Sequence, residues 1–260
     1  MFVNNIYSDP IKKVLLDFLL RMADTSLVLG HRLSEWCGHS FILEQDIAIS
    51  NIALDHMGQA QNWYVLAAQV QDENKSADDL AFLRDVLEYR NLLIVEQPNG
   101  DFAETIVRQF LFDVFQFNLL IALCESTDSN IVAIAEKSLK EVSYHVKWSS
   151  EWIVRLGDGT TESNERIQKA LNKLWEYSGE KFLPNATDML LADAGLGVDL
   201  SAIQSIWATY VATVLKQATL TTPEKKWMQK GGKDGVHTEH LGLLLAEMQF
   251  MQRAYPNCQW

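Results

Sequence analysis

The sequence predicts an all-α protein, and three observations carry that expectation. Only five prolines, Pro10, Pro98, Pro184, Pro223 and Pro256, interrupt 260 residues. Long stretches therefore escape the residue that deletes an amide donor and clashes in a helix interior. No Asn-Gly or Asp-Gly turn joins two runs of alternating apolar and polar residues, as a hairpin of strands requires. Asn99-Gly100 occurs, but helical spacing follows it. Finally, 48% of the residues are apolar, enough for a sizeable core.

Ser8-Asp9-Pro10 starts the first helix, which is expected to run to about Trp36, where Gly38-His39-Ser40 breaks it. A second helix is expected from about Leu43 to Gln71, and a shorter one from Ala77 to Arg90. Gln97-Pro98-Asn99-Gly100 makes a turn. Asp101 then caps a third long helix reaching about Glu125, with Glu104 as its capping-box partner. After Ser126-Thr127-Asp128-Ser129 a fourth long helix ends at Gly157-Asp158-Gly159. Three more helices are expected over about Glu162–Phe182, Ser201–Leu215 and His240–Tyr255. Two long helix hairpins joined by a connection with its own short helix match a ferritin-like four-helix bundle with one long crossover. The expectation is one domain over 1–260, with a bundle core at about 10–157 and a helical extension at about 160–260.

The charge narrows the function classes. Lys and Arg total 22 against 34 Asp and Glu, a formal charge of −12. Such acidity argues against nucleic acid or an anionic membrane as the main partner and leaves room for a basic protein partner. The start, Met1 to Tyr7, lacks a basic segment followed by an apolar one, so no signal peptide is expected. The most apolar stretch, 110–124, contains Asp113, Gln116 and Asn118 and reads as too short for a membrane span. Cys37, Cys124 and Cys258 form no Cys-x-x-Cys pair, which fits a reducing cytoplasm.

A ferritin-like bundle raises the question of a carboxylate-bridged diiron site. That site takes a Glu from each of two helices and Glu-x-x-His from each of the others, because i, i+3 spacing aims both side chains at one point. No histidine here has a Glu three residues before it. The second helix offers Asp55-His56-Met57-Gly58, with a shortened acid and glycine at the histidine position. The fourth offers Glu141 and Tyr144, with His145 one place late. Reversal near Ser40 would set Asp55 level with Asp24 or Ser26; reversal near Thr127 would set Glu141 level with Asp113. Asp113 lies among Phe110, Leu111, Phe112, Val114 and Phe115, so it is expected to be buried, and a buried carboxylate needs a partner or a proton. Asp55, Asp113, Glu141 and His145 are therefore expected to form a hydrogen-bonded cluster where irons would otherwise sit, with no metal and no catalytic residue. Two alternatives remain open: an unorthodox metal-dependent oxygenase using the same four residues, or a stand-alone helical binding protein.

Other candidates are weaker. Glu35-x-x-x-His39 reads as a helix-end ion pair, and His237 and His240 read as residues at a helix start. The run 231–235 could hold a phosphate at the following helix N-terminus, but it lacks a phosphate-loop pattern and a preceding strand.

Longer strings are more specific. Val28 to His39, Asn51-Ile52-Ala53-Leu54-Asp55, Gly58-Gln59-Ala60 and Val95-Glu96-Gln97-Pro98-Asn99-Gly100 resemble the PaaC family of phenylacetate-degradation proteins. Lys140-Glu141 with Tyr144-His145, Asn172 to Trp175, His237 to Gly242 and Leu245 to Gln249 extend the resemblance over essentially the whole chain. It implies a ferritin-like, non-catalytic structural subunit of the phenylacetyl-CoA 1,2-epoxidase, an oxygen- and NADPH-dependent monooxygenase complex. It further implies a homologous diiron catalytic subunit as partner, further small subunits, and a reductase with flavin and an iron–sulfur cluster. A homodimer is possible when the chain is alone.

Overall fold

A computed structural model describes residues 7–71, 73–224, 227–256 and 258; the expectations for 1–6 lie outside these. The described residues form eleven α-helices. They are α1 (Asp9–Ser34), α2 (Leu43–Val70), α3 (Ala77–Phe82), α4 (Leu93–Glu96), α5 (Phe102–Leu123) and α6 (Ser129–Gly157). Then follow α7 (Thr161–Leu174), α8 (Ala186–Asp193), α9 (Leu200–Gln217), α10 (Glu239–Met248) and α11 (Phe250–Ala254). No strand occurs among the described residues, so the class is all-α.

The contacts divide the chain into two compact units, Met1–Glu96 with Gly231–Trp260, and Gln97–Lys230. Each long helix hairpin thus anchors its own unit. The extension expected at about 160–260 is shared out: α7 to α9 pack with α5 and α6, while α10 and α11 belong with α1 to α4.

In the first unit α1 packs along α2. Their turn is longer on the α1 side than the sequence suggests. Trp36 N donates to Leu33 O, Cys37 N to Ser34 O and His39 N to Trp36 O, so the chain keeps winding after α1. The reversal therefore falls later than Ser40. A Cβ on Gly30 would lie 3.0 Å from Met57 Cε and 3.2 Å from Ala53 O, so Gly30 stands level with the Asp55 turn. Asp24 instead meets Tyr64, whose hydroxyl donates to Asp24 Oδ1 at 2.5 Å. The expected helix over 77–90 is shorter: α3 stops at Phe82 and a 3-10 turn covers Val86–Glu88. Arg84 explains the stop. Its guanidinium turns inward to the buried Asp24 carboxylate and donates to Glu88 O at 2.8 Å.

In the second unit α5 starts at Asp101, which accepts from Glu104 N at 3.0 Å. The expected reciprocal bond is absent, because the Glu104 carboxylate takes Lys173 Nζ at 2.7 Å. Asp128 caps α6 by accepting from Asn130 N at 2.6 Å and Ile131 N at 3.3 Å. The helix expected over 162–182 ends at Leu174 and continues as two 3-10 turns. Helix α8 was not expected; Asn185 and Asp188 form its capping box. Leu111 O joins the layers, accepting from Trp207 Nε1 and Lys181 Nζ, each at 3.0 Å. Gly157 lets α6 end against α9: a Cβ there would stand 2.3 Å from Ala218 O.

Helix α5, at 22 residues, is long and apolar enough to cross a membrane by length and composition, unlike the shorter run read from the sequence; 78% of its most apolar window is buried inside the protein.

Candidate functional site

Helix α5 buries residues on nearly every side, so a polar residue on it must find its partners inside. Asp113 is fully buried. Its Oδ1 accepts from Gln109 Nε2, one turn earlier, at 2.6 Å. Its Oδ2 accepts from Ser149 Oγ on α6 at 2.8 Å. His145, also fully buried, precedes Ser149 by one turn, and its charge acts on Asp113. Burial dominates and pushes the Asp113 carboxyl up to about 7, against the pull of His145, Ser149 and Gln109. The group thus holds its proton near neutrality far more than an exposed aspartate does.

The register differs from the expected one. Asp113 meets Ser149 and His145 where Glu141 was expected. After Leu123 the chain winds on, with Glu125 N donating to Ala122 O and Ser126 N to Leu123 O, so the reversal falls beyond Thr127. Glu141 is half-buried, and Tyr144 is 48% exposed.

This pair of helices does not fit its half of a two-iron carboxylate site. Both Asp113 oxygens accept hydrogen bonds. The α6 carboxylates nearest this level, Glu141 and Glu151, are half-buried and exposed, and the position three residues after Glu141 carries a tyrosine turned toward solvent. The Asp113 carboxylate and a ring nitrogen of His145 lie within 4.8 Å of each other, so the arrangement can hold a proton, and it offers two ligand atoms to a single ion.

In the first unit Asp55 is half-buried on α2, while its neighbour His56 is fully buried. Gly58, at the position a ligand histidine would take, opens on free space: a Cβ there would meet nothing within 4 Å. The polar centre of this unit lies elsewhere. Asp24 accepts from Tyr64, Arg84 and Arg90 N, the last at 2.8 Å. Tyr64 and Tyr89 flank the Arg84 guanidinium, whose carbon stands 5.8 and 4.5 Å from their ring centres.

Glu96, at the end of α4, forms a second knot. Its Oε1 takes His237 Nδ1 at 2.6 Å and Asn91 Nδ2 at 2.8 Å. Its Oε2 takes Thr238 N at 2.8 Å and Thr238 Oγ1 at 2.6 Å. His237 Nε2 donates to Tyr89 O at 2.9 Å, so both ring nitrogens face acceptors. His237 thus binds Glu96 where a role at the helix start was expected, and Thr238 joins it. The expected Glu35–His39 pair is replaced too: Glu35 meets Arg32 at 2.8 Å, and His39 Nδ1 donates to Cys37 O. The 231–235 loop packs closely, with a Gly235 Cβ position 2.5 Å from Leu87 O and Lys233 buried.

The family described as Phenylacetic acid catabolic protein matches residues 5–260. The chain belongs to this family. It is similar to a subunit of the 1,2-phenylacetyl-CoA epoxidase of Escherichia coli (strain K12), at 45% identity over 243 residues, which cover 94% of this chain and 98% of that protein.

For this phenylacetate-catabolism family member, the sequence reading missed Gln109, Ser149, His56 and Glu96. Gln109-x-x-x-Asp113 and His145-x-x-x-Ser149 were both visible as i, i+4 pairs on one helix face. Metal-ligand spacing does not single them out, because amide and hydroxyl groups are partners for a carboxylate, not for iron. Glu96 carried no local signal, since its partners His237 and Thr238 lie 141 and 142 residues away.

Proposed function

We propose that this chain is the non-catalytic structural subunit of a multicomponent phenylacetyl-CoA 1,2-epoxidase. In this reading it takes part in aerobic phenylacetate degradation in the cytoplasm. The similarity to one subunit of such an epoxidase, over nearly the full length of both chains, supports it. The observation that supports the non-catalytic role is Asp113: both its carboxyl oxygens accept hydrogen bonds, from Gln109 and Ser149, and burial raises its pKa to about 7.

In this reading the chain keeps a ferritin-like fold and holds no diiron centre. A homologous ferritin-like subunit carries the two irons and the acyl-CoA substrate. A reductase with flavin and an iron–sulfur cluster brings electrons from NADPH. The complex transfers one oxygen atom of dioxygen to the aromatic ring and reduces the other to water at the expense of NADPH. This chain's contribution is indirect: it docks on the catalytic homologue and orders the helices that hold the metal. Permanent partners of this kind bury large apolar faces.

Co-expression with the catalytic homologue of the same organism tests the reading. The expected outcome is a stable complex whose iron stays with the homologue when the subunits are separated, and a homologue that is inactive or poorly soluble alone. Full epoxidase activity of the homologue without this chain, or two irons per purified chain with oxygenase activity of its own, would overturn it.

A further inference from the structure

Within the first unit, the 3-10 turn at Val86–Glu88 and helices α10 and α11 enclose a groove of about 510 Å³. Val86, Leu245, Ala246 and Phe250 line it, together with Asp85 and Arg253, which form an ion pair 2.9 Å long. Phe250 in its lining is 60% exposed, and Leu87 and Leu243, next in the chain to the lining residues Val86 and Gly242, are 75% and 70% exposed. Isolated exposed leucines are ordinary, but several around one concavity mark an interaction surface.

Gly242 sharpens the point. It sits inside α10, where glycine costs up to about 1 kcal/mol relative to alanine. The chain's own packing does not require it: a Cβ there would meet only Val86 Cγ2, at an ordinary 3.9 Å, and its φ is not left-handed. The missing side chain deepens the groove floor for something from outside. Charge then selects the occupant. The groove elements carry Asp85, Glu88, Glu239 and Glu247 against one arginine, Arg253, which Asp85 already neutralises. A second copy of this chain, at −12 overall, would bring like charge to like.

We propose that this groove receives an amphipathic helix of the partner subunit, whose apolar side chains fill the Gly242 floor and whose flanking lysines or arginines face Glu88, Glu239 and Glu247. This rests on the structural-subunit reading above. Helix-in-groove docking supplies affinity through the apolar anchors and orientation through the charged rim.

The test titrates the purified chain with the catalytic homologue, after the two have been co-purified and separated. Replacing both Leu243 and Phe250 by Glu should weaken binding by at least about tenfold. Gly242→Phe should do the same by filling the floor. Glu247→Lys should weaken binding and flatten its salt dependence. Each variant is first shown to keep the helical circular dichroism and melting temperature of the parent. Wild-type binding with all of these variants within about twofold of it would overturn the groove while leaving the subunit reading intact. Absence of any wild-type binding would overturn both. A concentration-dependent homodimer abolished by the Leu243 and Phe250 changes would replace the partner helix with a second copy.

Discussion

Glu96 and His237 lie 141 residues apart in sequence and 2.6 Å apart in space. The second ring nitrogen of His237 donates to Tyr89 O, which can only accept, so the arrangement favours the doubly protonated ring. Burial lowers the His237 pKa, but the Glu96 bond and charge and the Tyr89 carbonyl outweigh it, leaving it above the ordinary histidine value. The Asp24 carboxylate adds a smaller upward pull. A raised pKa means that the stabilisation is fully present below about 6.5 and is lost as pH rises through the folded value. Amide exchange at Leu241, Leu244 and Leu245, corrected for intrinsic rates, should therefore quicken as pH rises above that value. Glu96→Gln should lower the His237 pKa in an NMR titration and cost about 1–3 kcal/mol. An unmoved His237 titration would show that the pair is not coupled.

Asp113 has a consequence of the same sign for a different reason. Its pKa is raised by burial to about 7, so the folded chain binds a proton that the unfolded chain releases near 4. Stability contributed by this group is greatest at low pH and falls as pH rises from about 4 to 7, by at most about 1.4 kcal/mol per pH unit. Asp113→Asn keeps the shape and an acceptor for Gln109, while its amide can donate to Ser149 Oγ. Urea denaturation between pH 5 and 8 should show a declining stability for the parent and a flatter profile for Asp113→Asn. Equal slopes would mean that the carboxyl does not titrate in this range.

Asp113 also shows what a sequence can reveal. Its place in the apolar run 110–115 made its burial legible, because a helix that is apolar all round has no solvent face for a polar residue. Its partner was not legible, because a hairpin register depends on how far each helix winds into the loop. The extra turns at 124–126 and 36–39 shifted both reversals by several residues, enough to put Ser149 in place of Glu141 beside Asp113, and Tyr64 in place of Asp55 beside Asp24. Long helices and their caps were readable from proline spacing and local side-chain chemistry. The destination of 231–260 was not, since the knot that fixes it joins residues far apart in the chain.

Gly157 supplies a packing prediction. Thr219 Oγ1 and Asn164 Nδ2 donate to Gly157 O at 3.1 and 2.6 Å, drawing the end of α6 against Ala218. A Cβ at 157 would stand 2.3 Å from the Ala218 carbonyl oxygen, and a backbone atom cannot swing aside as a side chain can. Gly157→Ala should lose about 1–3 kcal/mol by thermal or chemical denaturation. Gly58→Ala, whose Cβ meets open space in mid-helix, should be neutral or slightly stabilising. If the two alanines behave alike, the close approach of α6 and α9 is not a constraint.

The Asp24–Arg84 pair separates a buried charge from a buried ion pair. Asp24 is fully buried, Arg84 nearly so, and Tyr64, Arg90 N and Glu88 O satisfy the remaining donors and acceptors. Removing one ion leaves the other desolvated without its counter-charge, so Asp24→Asn or Arg84→Met should each cost about 3–5 kcal/mol. The double variant removes both desolvation penalties together, and it should cost clearly less than the sum of the single changes. The deficit is the coupling between the two residues, measured by a double-mutant cycle in urea. Arg84→Lys should not rescue the single loss, because a point charge cannot lie between the Tyr64 and Tyr89 rings while donating along two directions to Asp24 and Glu88 O. Strict additivity of the two single losses would place the stabilisation in the aromatic packing of Arg84 and not in its charge.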